Sequence, residues 1–162
     1  MKVDIGDVQL FFDVEGAKLV PDGSRMREKP TLLVLQGGPG FDYSHLKPAF
    51  SALTDVAQLV YVDHRGQGRS DRSSPEHWHL IQWADDIRAF CRALNIEQPV
   101  ILGLSFGGFV AQAYVHDPAQ GESQHQSEKA DDILSIALSR TTGSGLASQT
   151  LQAILFVPEP VG

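Results

Sequence analysis

Ser105 lies in "GLSFGG" (103–108), between glycines and directly behind the apolar run "PVILGL" (99–104). The G-x-S-x-G spacing is that of a nucleophile elbow, a sharp strand-to-helix turn that lifts a serine hydroxyl above a sheet. Side chains two positions either side of the serine would run into the neighbouring strand and helix, which accounts for Gly103 and Gly107. A hydroxyl placed there suits nucleophilic attack on a carbonyl carbon. The resulting oxyanion needs donors, and the helix N-terminus supplies free N–H groups and partial positive charge. The first expected donor is the backbone N–H of Phe106, the residue after the serine. The second is the N–H of Gly38 in "QGGPG" (36–40), whose glycines let backbone approach a ligand closely. "GGPGFD" does not have the G-x-G-x-x-G spacing of a dinucleotide site.

A serine nucleophile also needs a base, and the chain offers six histidines. Active sites of parallel sheets lie at the carboxyl ends of the strands. His45 follows the run "TLLVLQ" (31–36) on that side, beside the oxyanion loop, and is the in-chain candidate base. Asp42 is placed either to orient it or to cap the segment that follows. His64, His77 and His79 belong to the connection after "AQLVYV" (57–62) on the same side. His116 and His125 are expected at the opposite end of the sheet. "DHRGQGRSD" (63–71) reads as a hydrogen-bonded loop organiser rather than as an Asp63–Arg65 substrate pair.

These residues need elements to hold them. "VQLFFDVEG" (8–16) has strand composition, and "AKLVPDGSRMREKP" (17–30) is a polar connection with a "PDG" turn signal, the two ends of the region reading as a hairpin-like β start. The runs at 31–36, 57–66 and 99–104 read as buried strands, and 42–55 as a helix or broken helix. "IQWADDIRAFCRALNI" (81–96) is amphipathic, with Trp83, Ile87, Phe90, Cys91 and Leu94 at helical spacing, and 106–118 is a helix ended by Pro118. Strands alternating with helices predict an α/β fold, a mostly parallel sheet covered on both faces. Beyond Pro118 come a Gln/Ser-rich loop (119–132), a strand (133–138), a turn (141–145) and a short helix (146–156). The whole reads as one domain, 1–162, with a divergent tail over 119–162.

A formal net charge of −7 and no basic cluster disfavour nucleic acid as a partner. No apolar run approaches the roughly 18 residues needed to span a membrane. The N-terminus has no signal-peptide pattern and the single cysteine forms no internal disulfide, so a cytoplasmic protein is expected.

"QGGPGFDYSHLKP", "YVDHRGQGRSD", "WADDIRAFCRAL" and "VILGLSFGGFVAQAY", in this order, resemble the proline iminopeptidase-like branch of the α/β-hydrolase family over residues 8–118. The resemblance implies Ser105 as nucleophile, the N–H groups of Phe106 and Gly38 as oxyanion hole, and residues 63–70 as a structural loop. It implies hydrolysis of esters, amides or N-terminal peptide bonds through an acyl-enzyme, with no cofactor and no metal; without the family's cap residues, small esters or amides are the expected substrates rather than peptides. Gln36 stands where the family pattern reads a structural histidine. The pattern fades after Pro118, before the cap, the catalytic acid and the catalytic histidine of a full-length relative, so the fold is expected as a truncated α/β hydrolase. His64 is expected too far from the elbow, on a strand two places away in the family sheet order.

The strand expected at 133–138 is almost continuously apolar, and an uncovered edge of that kind associates. A homodimer through residues 130–162 is therefore expected, able to lend a histidine or acid across the interface. Light scattering should give about twice the 17.7 kDa chain mass, and Ile136→Pro should break the dimer. A monodisperse monomer of full activity would exclude it.

Overall fold

The runs "TLLVL", "QLVYV" and "VILGL" have no polar alternation, hence no face to offer water, and lie side by side in the middle of one sheet. The computed structural model describes residues 1–115 and the strand at 153–156. The chain begins with β1 (Lys2–Asp4) and β2 (Gln9–Glu15), then a separate hairpin of β3 (Leu19–Asp22) and β4 (Arg25–Glu28) turning at Gly23. The first central strand, β5 (Thr31–Leu35), leads into a broken helix: a 3₁₀ turn at Tyr43–His45, α1 (Lys47–Phe50) and a second 3₁₀ turn at Ser51–Asp55. Strand β6 (Gln58–Val62), α2 (Leu80–Ala93), β7 (Val100–Leu104), α3 (Phe106–Val115) and β8 (Ala153–Phe156) follow.

The sheet order is β1-β2-β6-β5-β7-β8. β5 pairs in parallel with β6 and β7, while the outer pairings β1–β2, β2–β6 and β7–β8 are antiparallel. Leu35 pairs with Val62 on one side and with Gly103 on the other. That register brings the carboxyl ends of the three central strands into one row, so the loops after them emerge together. Alternate residues serve opposite faces. Leu33, Leu35, Val60, Val62 and Ile101 pack under α2 and α3, against Trp83, Ile87, Phe90, Val110 and Ala111. Leu32, Val34, Leu59, Tyr61, Val100 and Leu102 pack against Tyr43, Leu46, Phe50 and Leu53 of the broken helix. No helix among the described residues is long and apolar enough to cross a membrane.

The expected elements over 8–16, 31–36, 42–55, 57–66, 81–96 and 99–104 are present with trimmed ends, and α3 is described to Val115. The short helix expected over 146–156 is corrected, since Ala153–Phe156 is a strand laid antiparallel on β7. Four apolar residues carry no period of their own, and the open edge of β7 decides their state. The strand expected at 133–138 and the loop at 119–132 lie outside the described residues.

One buried cation ties the first strands to the helical layer. Arg65 is 1% exposed and holds two carboxylates. Its Nε and Nη2 donate to Asp86 of α2 at 2.8 and 2.7 Å, and its Nη1 and Nη2 donate to Asp7 at 2.6 and 2.8 Å. Its carbonyl accepts from Trp83 Nε1 at 3.1 Å. Asp86 is 3% exposed, so removing the cation strands a buried carboxylate. Arg65→Met is expected to destabilise the fold by about 3–5 kcal/mol in urea unfolding. Asp7→Ala removes an exposed partner and should cost under about 1 kcal/mol. Equal shifts in the two variants would overturn this ranking.

Candidate active site

β7 ends at Leu104 and α3 starts at Phe106, so Ser105 alone makes the turn. It does so at φ +50°, in the left-handed region that costs a non-glycine residue about 1–2 kcal/mol, and it is exposed. The glycines around it are imposed by backbone. A Cβ at Gly103 would overlap the Gly107 carbonyl, and a Cβ at Gly107 would overlap the carbonyls of Leu35 and Gln36. The first turn of α3 is thus pressed against the end of β5, and the loop after β5 meets the elbow. A Cβ at Gly37 would stand 3.6 Å from Ser105 Cβ and 3.3 Å from the Leu104 carbonyl. Gly37 is a neighbour of the serine that the sequence reading passed over, although the doubled glycine of "QGGPG" was its signal.

Gly38 has φ +127°, open only to glycine, and a Cβ there would crowd the Gly40 nitrogen at 3.1 Å and the Phe41 ring at 3.4 Å. The Gly38–Pro39 peptide is cis. Among the described residues, neither the Gly38 N–H nor the Phe106 N–H is taken up by a hydrogen bond. The Phe106 ring turns inward, edge-on to Trp83 at 5.0 Å and to His64 at 5.9 Å.

His45 is exposed in the first 3₁₀ turn. Its Nδ1 is hydrogen-bonded to the Asp42 carbonyl, and its ring lies 5.5 Å from Phe41. No hydrogen bond joins it to Ser105 among the described residues. The Asp42 carboxylate caps the turn instead, accepting from the Ser44 N–H at 2.9 Å and from the Ser44 hydroxyl, bonds that hold its pKa below the usual value. His77 lies 3.9 Å from Glu76, and His79 is the N-cap of α2, its Nδ1 accepting from the Gln82 N–H at 3.2 Å. His116 and His125 lie outside the described residues.

His64 sits closer to the elbow than its strand position implies. Its ring meets Phe106, the residue after Ser105, and donates to the Gln36 backbone carbonyl. It is 1% exposed, and burial pushes its pKa down to about 4. The imidazole is therefore neutral near pH 7 and supports the loop from beneath. Its Nε2 has no partner among the described residues.

The rest of "DHRGQGRSD" organises both loops. Asp63, fully buried, accepts from the Tyr43 N–H at 2.8 Å and the Arg69 N–H at 2.9 Å, and desolvation raises its pKa. Ser70 donates to the Asp63 carbonyl at 2.6 Å and accepts from the Phe11 N–H at 2.8 Å. Arg65 pairs with Asp7 and Asp86, so an Asp63–Arg65 substrate pair does not form. A cleft of 390 Å³ lies at the other end of the sheet, by Thr31 and Val100 at the starts of β5 and β7, away from Ser105.

A family model described as the alpha/beta hydrolase fold matches residues 30–141. A proline iminopeptidase, PfmaB, of Pestalotiopsis fici is 36% identical over 107 residues, covering 64% of this chain and 37% of that protein. A putative carbamate hydrolase, RutD, of Agrobacterium fabrum is 35% identical over 83 residues, covering 51% of this chain and 31% of that protein. The crystal structure of proline iminopeptidase from Mycobacterium smegmatis superposes with a TM-score of 0.61 at 27% identity, covering 74% of this chain and 40% of that one. The chain spans about a third of the length of these two curated relatives.

The depressed pKa of His64 has a sign. Its folded value of about 4 lies below the ordinary 6.5, so protonation favours unfolding. The stability tied to its neutral form is whole above about pH 6.5 and is lost as the pH falls toward 4. His64→Gln should therefore flatten the fall in unfolding free energy, measured in urea, between pH 7 and pH 4.5, by about 2 kcal/mol. A slope identical to wild type would contradict the assignment.

Proposed function

Because the chain belongs to the α/β-hydrolase family, we propose that it is a cytoplasmic serine hydrolase cleaving small esters or amides through an acyl-enzyme on Ser105. The observation that carries this reading is the geometry of Ser105: an exposed hydroxyl at φ +50°, at the head of α3, with the glycine loop against it. The Ser105 Oγ attacks the substrate carbonyl carbon while a base takes its proton. The tetrahedral oxyanion is held by the N–H groups of Phe106 and Gly38. Collapse expels the leaving alcohol, which takes the proton back from the base, and water then releases the acid by the same steps. No step requires a cofactor.

His45 is the in-chain candidate for the base. Its Nδ1 bond to the Asp42 carbonyl selects the tautomer with a lone pair on Nε2, the form a general base needs. A homodimer through residues 130–162 is the other source in this proposal. It is supported by the place of β8 at the edge of the described sheet, where a second copy can add.

Hydrolysis of p-nitrophenyl acetate by the full chain should fall to the buffer rate in Ser105→Ala. A fluorophosphonate probe should add mass to the wild type and none to the variant. Equal rates and equal labelling in the two proteins would leave a small-molecule binding module as the reading. His45→Ala decides the base: a loss of about 10²-fold assigns the role to His45, and an unchanged rate gives it to another histidine.

A further inference from the structure

Gln67 is a buried side chain that the catalytic scheme does not use. It is 6% exposed and comes from the loop after β6, yet its oxygen is spent on a different loop. Its Oε1 accepts from Gln36 Nε2 at 3.2 Å and from the Gly40 backbone N–H at 3.2 Å. Those two donors are the first and last residues of "QGGPG". One acceptor atom therefore ties together both ends of the loop that carries Gly37 and Gly38. Gln67 itself is held in place, its N–H donating to the His64 carbonyl at 2.9 Å and its carbonyl accepting from the Ser70 N–H at 3.0 Å. Gln36 is fully buried, and its own carbonyl takes the His64 ring N–H.

From this arrangement we infer that Gln67 is a positioning residue for the oxyanion loop, acting through Gln36 and Gly40 to fix where the Gly38 N–H points. The inference deepens the proposed function and rests on it for its kinetic part. Gly38, at φ +127°, lies between the two residues that Gln67 holds. An oxyanion donor helps only if it already stands where the charge develops. A clamp on both ends of a five-residue loop provides that pre-organisation, and its loss should appear in kcat more than in KM. The Nε2 of Gln67 has no partner among the described residues, so the role belongs to its oxygen alone.

Gln67→Met keeps the volume and removes the acceptor. Gln67→Glu keeps an acceptor at the same reach and replaces only the unpartnered Nε2. At pH 6, where burial holds such a carboxyl neutral, Gln67→Met should lower kcat for p-nitrophenyl acetate about 10-fold with KM changed less than about twofold. Gln67→Glu should recover at least about half of the wild-type kcat. Hydrogen exchange over residues 36–43 gives a readout independent of turnover: protection of the Gly40 amide should drop in Gln67→Met and return in Gln67→Glu. Wild-type kcat in Gln67→Met, with Ser105-dependent turnover intact, would overturn the inference while leaving the hydrolase reading standing. If turnover proves independent of Ser105, the hydrolase reading fails, and unchanged Gly40 protection in Gln67→Met would overturn the positioning role as well.

Discussion

Three stretches of backbone meet at Gly107 with no room for a side chain. The end of β5 presents the carbonyls of Leu35 and Gln36, the start of α3 presses Gly107 onto them, and the end of β7 brings Gly103 under the Gly107 carbonyl. Everything near the serine follows from this contact. It sets α3 against the sheet so that Ser105 has to make the turn alone. It also draws the loop after β5 up to the elbow, so that Gly37 and Ser105 are neighbours. Had either glycine carried a methyl group, the helix would stand off the sheet and the Phe106 and Gly38 N–H groups would separate.

The contact does not hold itself. The loop after β6 supplies the restraint, each residue doing a separate task. Asp63 fixes Tyr43, His64 supports the Gln36 carbonyl, Gln67 spans Gln36 and Gly40, and Arg65 anchors the loop to α2 and the first strands through Asp86 and Asp7. Because β6 lies on the far side of β5 from β7, the loop's hydrogen bonds reach the loop between them, while the His64 ring meets the elbow directly at Phe106. The site is therefore three loops deep, and the middle one is clasped by both neighbours.

How much of this was legible in the sequence depends on the range of the interaction. The elbow was legible because its glycines are demanded by backbone contacts that recur wherever a serine is set on such a turn. The buried strands were legible because "TLLVL" and "VILGL" have no polar face. The hairpin of β3 and β4 was legible from the "PDG" turn signal, but the strand β8 was not, since "AILF" is too short to carry a period. The roles of Gln67 and His64 were hidden for another reason. Their partners lie 31 and 28 residues away in the chain, across a strand pairing, and a lone glutamine or histidine in a loop announces nothing. Gln36, which stands where the family pattern reads a structural histidine, is the point where both meet.

The φ of Ser105 has a further consequence, for the way this chain tolerates change. A left-handed residue with a Cβ is a standing debit against a fold whose total stability is about 5–15 kcal/mol. Glycine at 105 would relax the turn and abolish the hydroxyl in one step. Drift toward greater stability at this position therefore runs directly into loss of the hydroxyl. A serine in that conformation is a local stability cost whose counterpart, in the proposed reaction, is an exposed hydroxyl at the head of α3.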